Sequence, residues 1–187
     1  MSKTATIAWP NRRWPPLLAL GAAALLGSGL ATPQRTIGSA REVGDGVASA
    51  ASEVMLVTPF LRSKEVAESL RKVATQRGVR VYVLADVQYI QEGGSFLNGL
   101  SMVKGIQIRL LRGLKDSRAT IDRKSTITGP LLADQASLLN PGMTTLIQEP
   151  RMVQAASAWF SRAWATATPY KYEVPPAPKS SASPAPK

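Results

Sequence analysis

The sequence predicts an α/β fold, a mixed sheet with helices on both faces, and three observations carry that prediction. Residues 79–84 (VRVYVL) form a nearly continuous β-branched run, as expected of a central strand covered on both sides. Ahead of it, Val66, Ala67, Leu70, Val73 and Ala74 keep to one face of a helical pattern. Residues 118–122 and 125–128 read as a hairpin turning at Asp122-Arg123-Lys124.

The elements follow in order. Residues 1–14 are polar, with three basic residues and no acidic ones. An apolar run over 15–31 follows, and its ten-residue core at 17–26 has the length of a signal-peptide h-region. The whole run reaches the lower limit for a spanning helix, so a retained anchor fits as well. Gly29-Leu30-Ala31 places small residues where a cleavage site needs them. The basic flank should stay cytoplasmic, which puts the bulk of the chain outside, in the periplasm or at the cell surface, either secreted or membrane-anchored. Residues 32–36 read as a linker.

A helix weakened by Gly44 and Gly46 is expected within 37–52, then a buried strand at 54–57 stopped by Pro59. Ser63 should cap the next helix, Glu68 and Lys72 should pair across one turn, and Gly78 should close it. After the strand at 79–84 come a short helix near 96–103, a strand at 106–111, the hairpin, and a strand at 143–147. Pro150 suits the first turn of a last helix whose core face is read as Met152, Ala155, Ala156, Trp159, Phe160, Ala163 and Trp164. The folded domain is therefore expected over 37–168. Residues 169–187, rich in Pro, Ala, Ser and Lys, carry too little apolar surface to fold.

Composition removes several chemistries. The chain has no cysteine and no histidine, which excludes disulfides, thiolate or imidazole metal ligands, and Cys or His nucleophiles. Neither a metal nor another cofactor is expected. The 23 basic and 12 acidic residues leave a net charge of +11, which favours polyanionic partners such as nucleic acid or anionic phospholipid.

Four segments, ATQRGVRVYVLAD (74–86), VKGIQIRLL (103–111), IDRKSTITGP (121–130) and FSRAWATA (160–167), resemble in order and spacing the phospholipase D superfamily. The likeness is to its small bacterial, single-motif, nuclease-like branch, and it implies a phospholipase D-like mixed sheet. The family motif is a His, one residue, a Lys, four residues, then an Asp. Aligned on Asp122, it puts Lys115 in the place of the nucleophilic His and Ser117 in the place of the phosphate-binding Lys. A lysine ammonium has no lone pair with which to attack phosphorus, and a serine carries no charge. The family's Gly-Ser…Asn element becomes Gly129-Pro130-Leu131-Leu132, and its later Asn-x-Glu becomes Asn140-Pro141-Gly142. Catalysis is therefore not expected at Lys115, Ser117 and Asp122. Asp86, at a strand end, reads as a loop cap.

Residues 104–124 still hold seven basic side chains against Asp116 and Asp122. In the resembled fold this stretch lines the phosphodiester groove, so Lys104, Arg109, Arg112, Lys115 and Arg118 are the expected ligand-binding residues. The function expected is a catalytically inactive, exported or membrane-tethered protein that binds an anionic phosphodiester ligand or a partner protein. The alternatives are a divergent phosphodiesterase, and a structural subunit of an envelope or DNA-transfer assembly. The single-motif resemblance also implies a homodimer.

Overall fold

The computed structural model describes residues 34–90, 93–134 and 144–172. Eight strands form one sheet, ordered β1 (Arg35–Thr36), β7 (Thr145–Ile147), β6 (Ser125–Thr128), β5 (Arg118–Ile121), β2 (Glu53–Thr58), β3 (Arg80–Asp86), β4 (Ile106–Leu111) and β8 (Thr168–Tyr170). The neighbours β2, β3 and β4 run parallel, with Leu56 opposite Val83 and Val83 opposite Ile108. All other neighbours are antiparallel, including the β5–β6 hairpin with Ala119 opposite Ile127. The sheet is mixed, as its sequence predicts.

Alternation along the strands assigns the two faces. Val54, Leu56, Val81, Val83, Ile108, Ala119 and Ile127 point to one side, where they pack with α1 (Ala40–Ala48), α2 (Lys64–Arg77) and α3 (Leu97–Ser101). Met55, Val57 and Leu84 point to the other, against α4 (Pro150–Thr166). Residues 80–86 are apolar almost throughout because β3 sits between these two layers.

Helix α1 is shorter than expected and better supported. Ser39 accepts a hydrogen bond from the Glu42 amide at 3.2 Å while Glu42 reaches back to the Gly38 amide at 3.2 Å, an arrangement close to a capping box. Gly44 is a packing requirement here: a Cβ at that position would meet Ser69 Oγ at 3.1 Å and the Glu65 carbonyl at 3.2 Å. Its absence lets α1 approach α2.

In α2 two expectations fail. Ser63 occupies the N-cap position but its hydroxyl makes no capping bond. Ser63 is fully buried, and the helix start is held by backbone, with the Arg62 and Ser63 amides donating to the Ala133 carbonyl at 2.6 and 3.0 Å. Glu68 pairs with Lys64 at 3.8 Å, since lysines lie one turn away on either side of it. Gly78 closes the helix at φ 67° as expected.

Helix α4 starts at Pro150 as expected, but its buried face is rotated. Val153, Ala156, Ser157 and Phe160 meet the sheet, whereas Met152 and Trp159 are 42% and 38% exposed. The buried face is displaced toward Val153 and Ser157, which the seven-residue pattern omits, and this turns Met152 and Trp159 outward. Phe160 stacks on Trp164 at 5.5 Å and Tyr82 meets Trp164 edge-on at 5.3 Å, sealing this layer.

Both sheet edges use residues that the sequence leaves outside the domain. Thr36 of the expected linker pairs with Thr145, and β8 carries the sheet past Pro169 to Tyr170. The apolar leader and residues 173–187 lie outside the described residues, as do Asn140, Pro141 and Gly142.

Candidate functional site

The C-terminal ends of the parallel strands β2, β3 and β4 meet the start of β5 and the end of β6. Ligand sites in open α/β sheets form at such an end. Asp86, the last residue of β3, is buried and organises the loops there. Its carboxylate accepts from the Gln88 amide at 2.9 Å and from the Leu114 amide at 2.7 Å. It therefore caps its own turn, as expected, and also fixes the segment leading to Lys115.

Ser117 points into the α1–α2 side and is buried, with its Oγ 3.1 Å from Thr58 Oγ1. The Thr58 hydroxyl donates to the Phe60 carbonyl, so Ser117 is the donor in that pair. The Ser117 carbonyl accepts from the Gly129 amide at 3.0 Å. Beyond Gly129 the chain makes a 3-10 turn, Pro130–Leu132, in which Leu131 and Leu132 are fully buried in the core. The Leu131 amide donates to Thr144 Oγ1 at 3.3 Å. The motif positions 117, 131 and 132 are thus interior: a closed hydroxyl pair and two leucines. Lys115 alone of the aligned pair reaches solvent.

Lys115 and Arg118 do share a cleft. Together with Val57, Leu114, Asp116 and Trp159 they line a depression of about 340 Å³. Arg118 and Trp159 are common to a second, more apolar depression of about 370 Å³ with Met152, Ile147 and Thr128, so the two adjoin. Trp159, like Met152, is assigned to the core by the sequence and found at the rim, here beside both cations. The signal available was Val153, an apolar α4 residue that the seven-residue face leaves out.

The other expected ligand-binding residues do not converge on this cleft. Arg109 is committed to α4: its guanidinium donates to the Trp164 carbonyl at 2.7 Å and lies 4.8 Å from the centre of the Trp164 ring. Lys104 precedes β4 and so sits at the opposite end of the sheet. Arg112 is exposed just beyond β4, at the same end as Lys115. The basic run from 104 to 124 is split because the strands within it carry successive charges to opposite sheet ends.

Asp122 follows β5 whereas Lys115 precedes it, so strand length separates the two aligned motif positions. Asp122 clamps the start of β2. It accepts from the Ala51 and Ser52 amides at 2.8 Å each, from Ser52 Oγ at 2.8 Å, and from the Glu53 amide at 3.0 Å. Burial pushes this carboxyl up, but hydrogen bonds from Glu53, Ala51 and Ser52 outweigh it and hold the pKa at about 2, against 3.8 ordinarily. The turn that the sequence predicts at this residue is present, with φ 49° at Asp122 and 54° at Arg123.

This mixed sheet, with β5 entering at the C-terminal end of a parallel trio, is a phospholipase D-like arrangement. A family model described as cardiolipin synthase, PLD-like domain, matches residues 45–164, and the chain belongs to the phospholipase D-like family. A mitochondrial cardiolipin hydrolase of Canis lupus familiaris is 35% identical over 112 residues, which cover 58% of this chain and 44% of that protein. The chain thus spans less than half of that relative's length. Among solved structures, NucT from Helicobacter pylori superposes with a TM-score of 0.60 at 16% identity, covering 68% of this chain and 88% of its own. Nuc from Salmonella typhimurium, a phospholipase D family member, superposes with a TM-score of 0.60 at 17% identity over 72% and 93%. These two likenesses establish the fold.

Proposed function

We propose that this protein is a phospholipase D-like scaffold without hydrolytic chemistry that binds an anionic phosphodiester at the Lys115–Arg118–Trp159 cleft. The observation that carries the reading is the state of the motif positions: Ser117 is spent on Thr58 inside the core, and the whole chain holds no histidine. Hydrolysis in this family needs a nucleophile and a cation at those two positions. Lys115 and Arg118 supply positive charge at a surface that also offers an indole, a combination suited to holding a phosphodiester.

Titrating the protein with single-stranded DNA and with anionic vesicles tests both halves. Affinity should fall steeply as salt rises, because phosphate binding releases counterions. Lys115→Glu with Arg118→Glu should weaken binding by about tenfold or more, whereas Lys104→Glu should change it little. Neither ligand, nor bis(p-nitrophenyl) phosphate, should be hydrolysed. Equal losses from the Lys104 and the Lys115–Arg118 substitutions would mean diffuse charge attraction and no groove. Turnover abolished by Lys115→Ala would overturn the non-catalytic reading.

The same proposal places the domain outside the cytoplasm, supported by the basic and apolar order of residues 1–31. Among the described residues no helix is long and apolar enough to cross a membrane. A reporter fused after Lys187 should be active only outside the cytoplasm; activity inside would refute the placement.

A further inference from the structure

We infer that a second cleft, at the opposite end of the sheet from Lys115, binds a nucleoside monophosphate: Arg80 and Arg123 hold the phosphate, and Tyr82 faces the base. The cleft is about 320 Å³ and lies between the N-terminal ends of β2 and β3 and the C-terminal half of α4. That volume is within the range of small-molecule sites.

One carboxylate orders the two cations. Glu53, with a side chain only 12% exposed, accepts from Arg123 Nε at 2.6 Å and lies 3.9 Å from Arg80 Nη2. The two arginines remain 66% and 63% exposed, so much of each guanidinium is still open to an anion. Two positive charges against one negative leave a net positive site. Arg123 is further fixed by its backbone, since it sits in the turn that Asp122 clamps to the start of β2. Preordered guanidiniums lose less freedom when they bind, and their planar forks match phosphate oxygens.

The wall beside them is aromatic. Phe160 stacks on Trp164 and the Arg109 guanidinium lies 4.8 Å from the centre of the same ring, so Trp164 is held rigidly and braces Tyr82 edge-on, leaving Tyr82 as the ring for a base. A phosphate alone would leave this wall unused, and a neutral aromatic would leave the arginines unused. A base and its phosphate use both. The inference does not depend on the Lys115 cleft, because the two clefts share no lining residue.

Isothermal titration of the full chain with adenosine monophosphate, adenosine and inorganic phosphate provides the test. The monophosphate should bind about tenfold tighter than either fragment, with a dissociation constant below about 1 mM. Arg80→Gln should weaken it about tenfold while the melting temperature stays unchanged, since the Arg80 contact to Glu53 is long. Tyr82→Leu should weaken the nucleotide but not phosphate. The Lys115→Glu, Arg118→Glu double substitution should leave nucleotide binding as it was. Phosphate binding as tightly as the nucleotide, or no nucleotide binding at millimolar concentration, overturns the inference. So does nucleotide binding that is lost with Lys115 and Arg118 and kept in Arg80→Gln.

Discussion

Ser117→Lys should destabilise the fold by about 3 kcal/mol or more, because an ammonium placed there is buried without a partner. Restoring the motif therefore should not restore the chemistry. Ser117 is 7% exposed and hydrogen-bonded to a fully buried Thr58, and its carbonyl fixes Gly129. A lysine would lose the Thr58 contact and force its charged end past packed side chains. Lys115→His, on an exposed position, should fold normally and still hydrolyse nothing, since no cation then stands at 117. Thermal melts of both single variants, with bis(p-nitrophenyl) phosphate assays of the double variant, decide the matter. An unchanged melting temperature for Ser117→Lys, or turnover by the double variant, would show that the site remains open.

Removing the Asp122 carboxylate should cost about 2–3 kcal/mol at neutral pH, because one partly exposed, charge-assisted acceptor serves the start of β2. Its four hydrogen bonds also hold the positive-φ turn at 122 and 123, a conformation that disfavours most side chains. The effect carries a pH signature. The folded pKa, about 2, lies below the ordinary 3.8, so the stabilisation is full above about pH 4 and is lost as pH falls through 3.8 toward 2. The shift itself corresponds to about 1–2 kcal/mol once solvent screening of this partly exposed group is allowed for. Denaturant melts of Asp122→Ala and the parent should therefore differ at pH 7, with the gap narrowing by about 1–2 kcal/mol toward pH 2. A gap that stays constant with pH, or no gap at neutral pH, would remove the clamp from the account of the fold.

The Asp122 result bears on how the family motif should be understood in this chain. Asp122 serves the backbone at the start of β2. A turn residue that accepts from three successive amides is constrained by the strand it anchors. Lys115, exposed before β5, carries no such duty toward the sheet.

Much of this was legible in the amino-acid order. Periodicity located β4, the β5–β6 hairpin and the start of α4 at Pro150, because each has a strong local pattern bounded by a turn former. Pro59 and Gly78 ended elements where their backbone chemistry requires it. The edge strands β1 and β8 were missed. Two or three residues carry no period, and such strands exist only through pairing with β7 and β4. Ser63 was misread for a related reason: a cap is a local rule, and the Ala133 carbonyl that replaces it comes from a distant turn.

For the site, the sequence by itself determined what the chain lacks and how its elements are ordered: no imidazole or thiol anywhere, and a lysine and a serine at the motif positions. Only the tertiary structure decided which charges meet. Arg118 of β5 joins Trp159 of α4 on one face of the sheet, Arg109 is consumed by Trp164, and Arg123 joins Glu53, seventy residues away in sequence. Side-chain identity travels with the chain, whereas the partner of a charge is set by strand order, by the rotation of a helix on a sheet, and by which end of a strand each residue occupies.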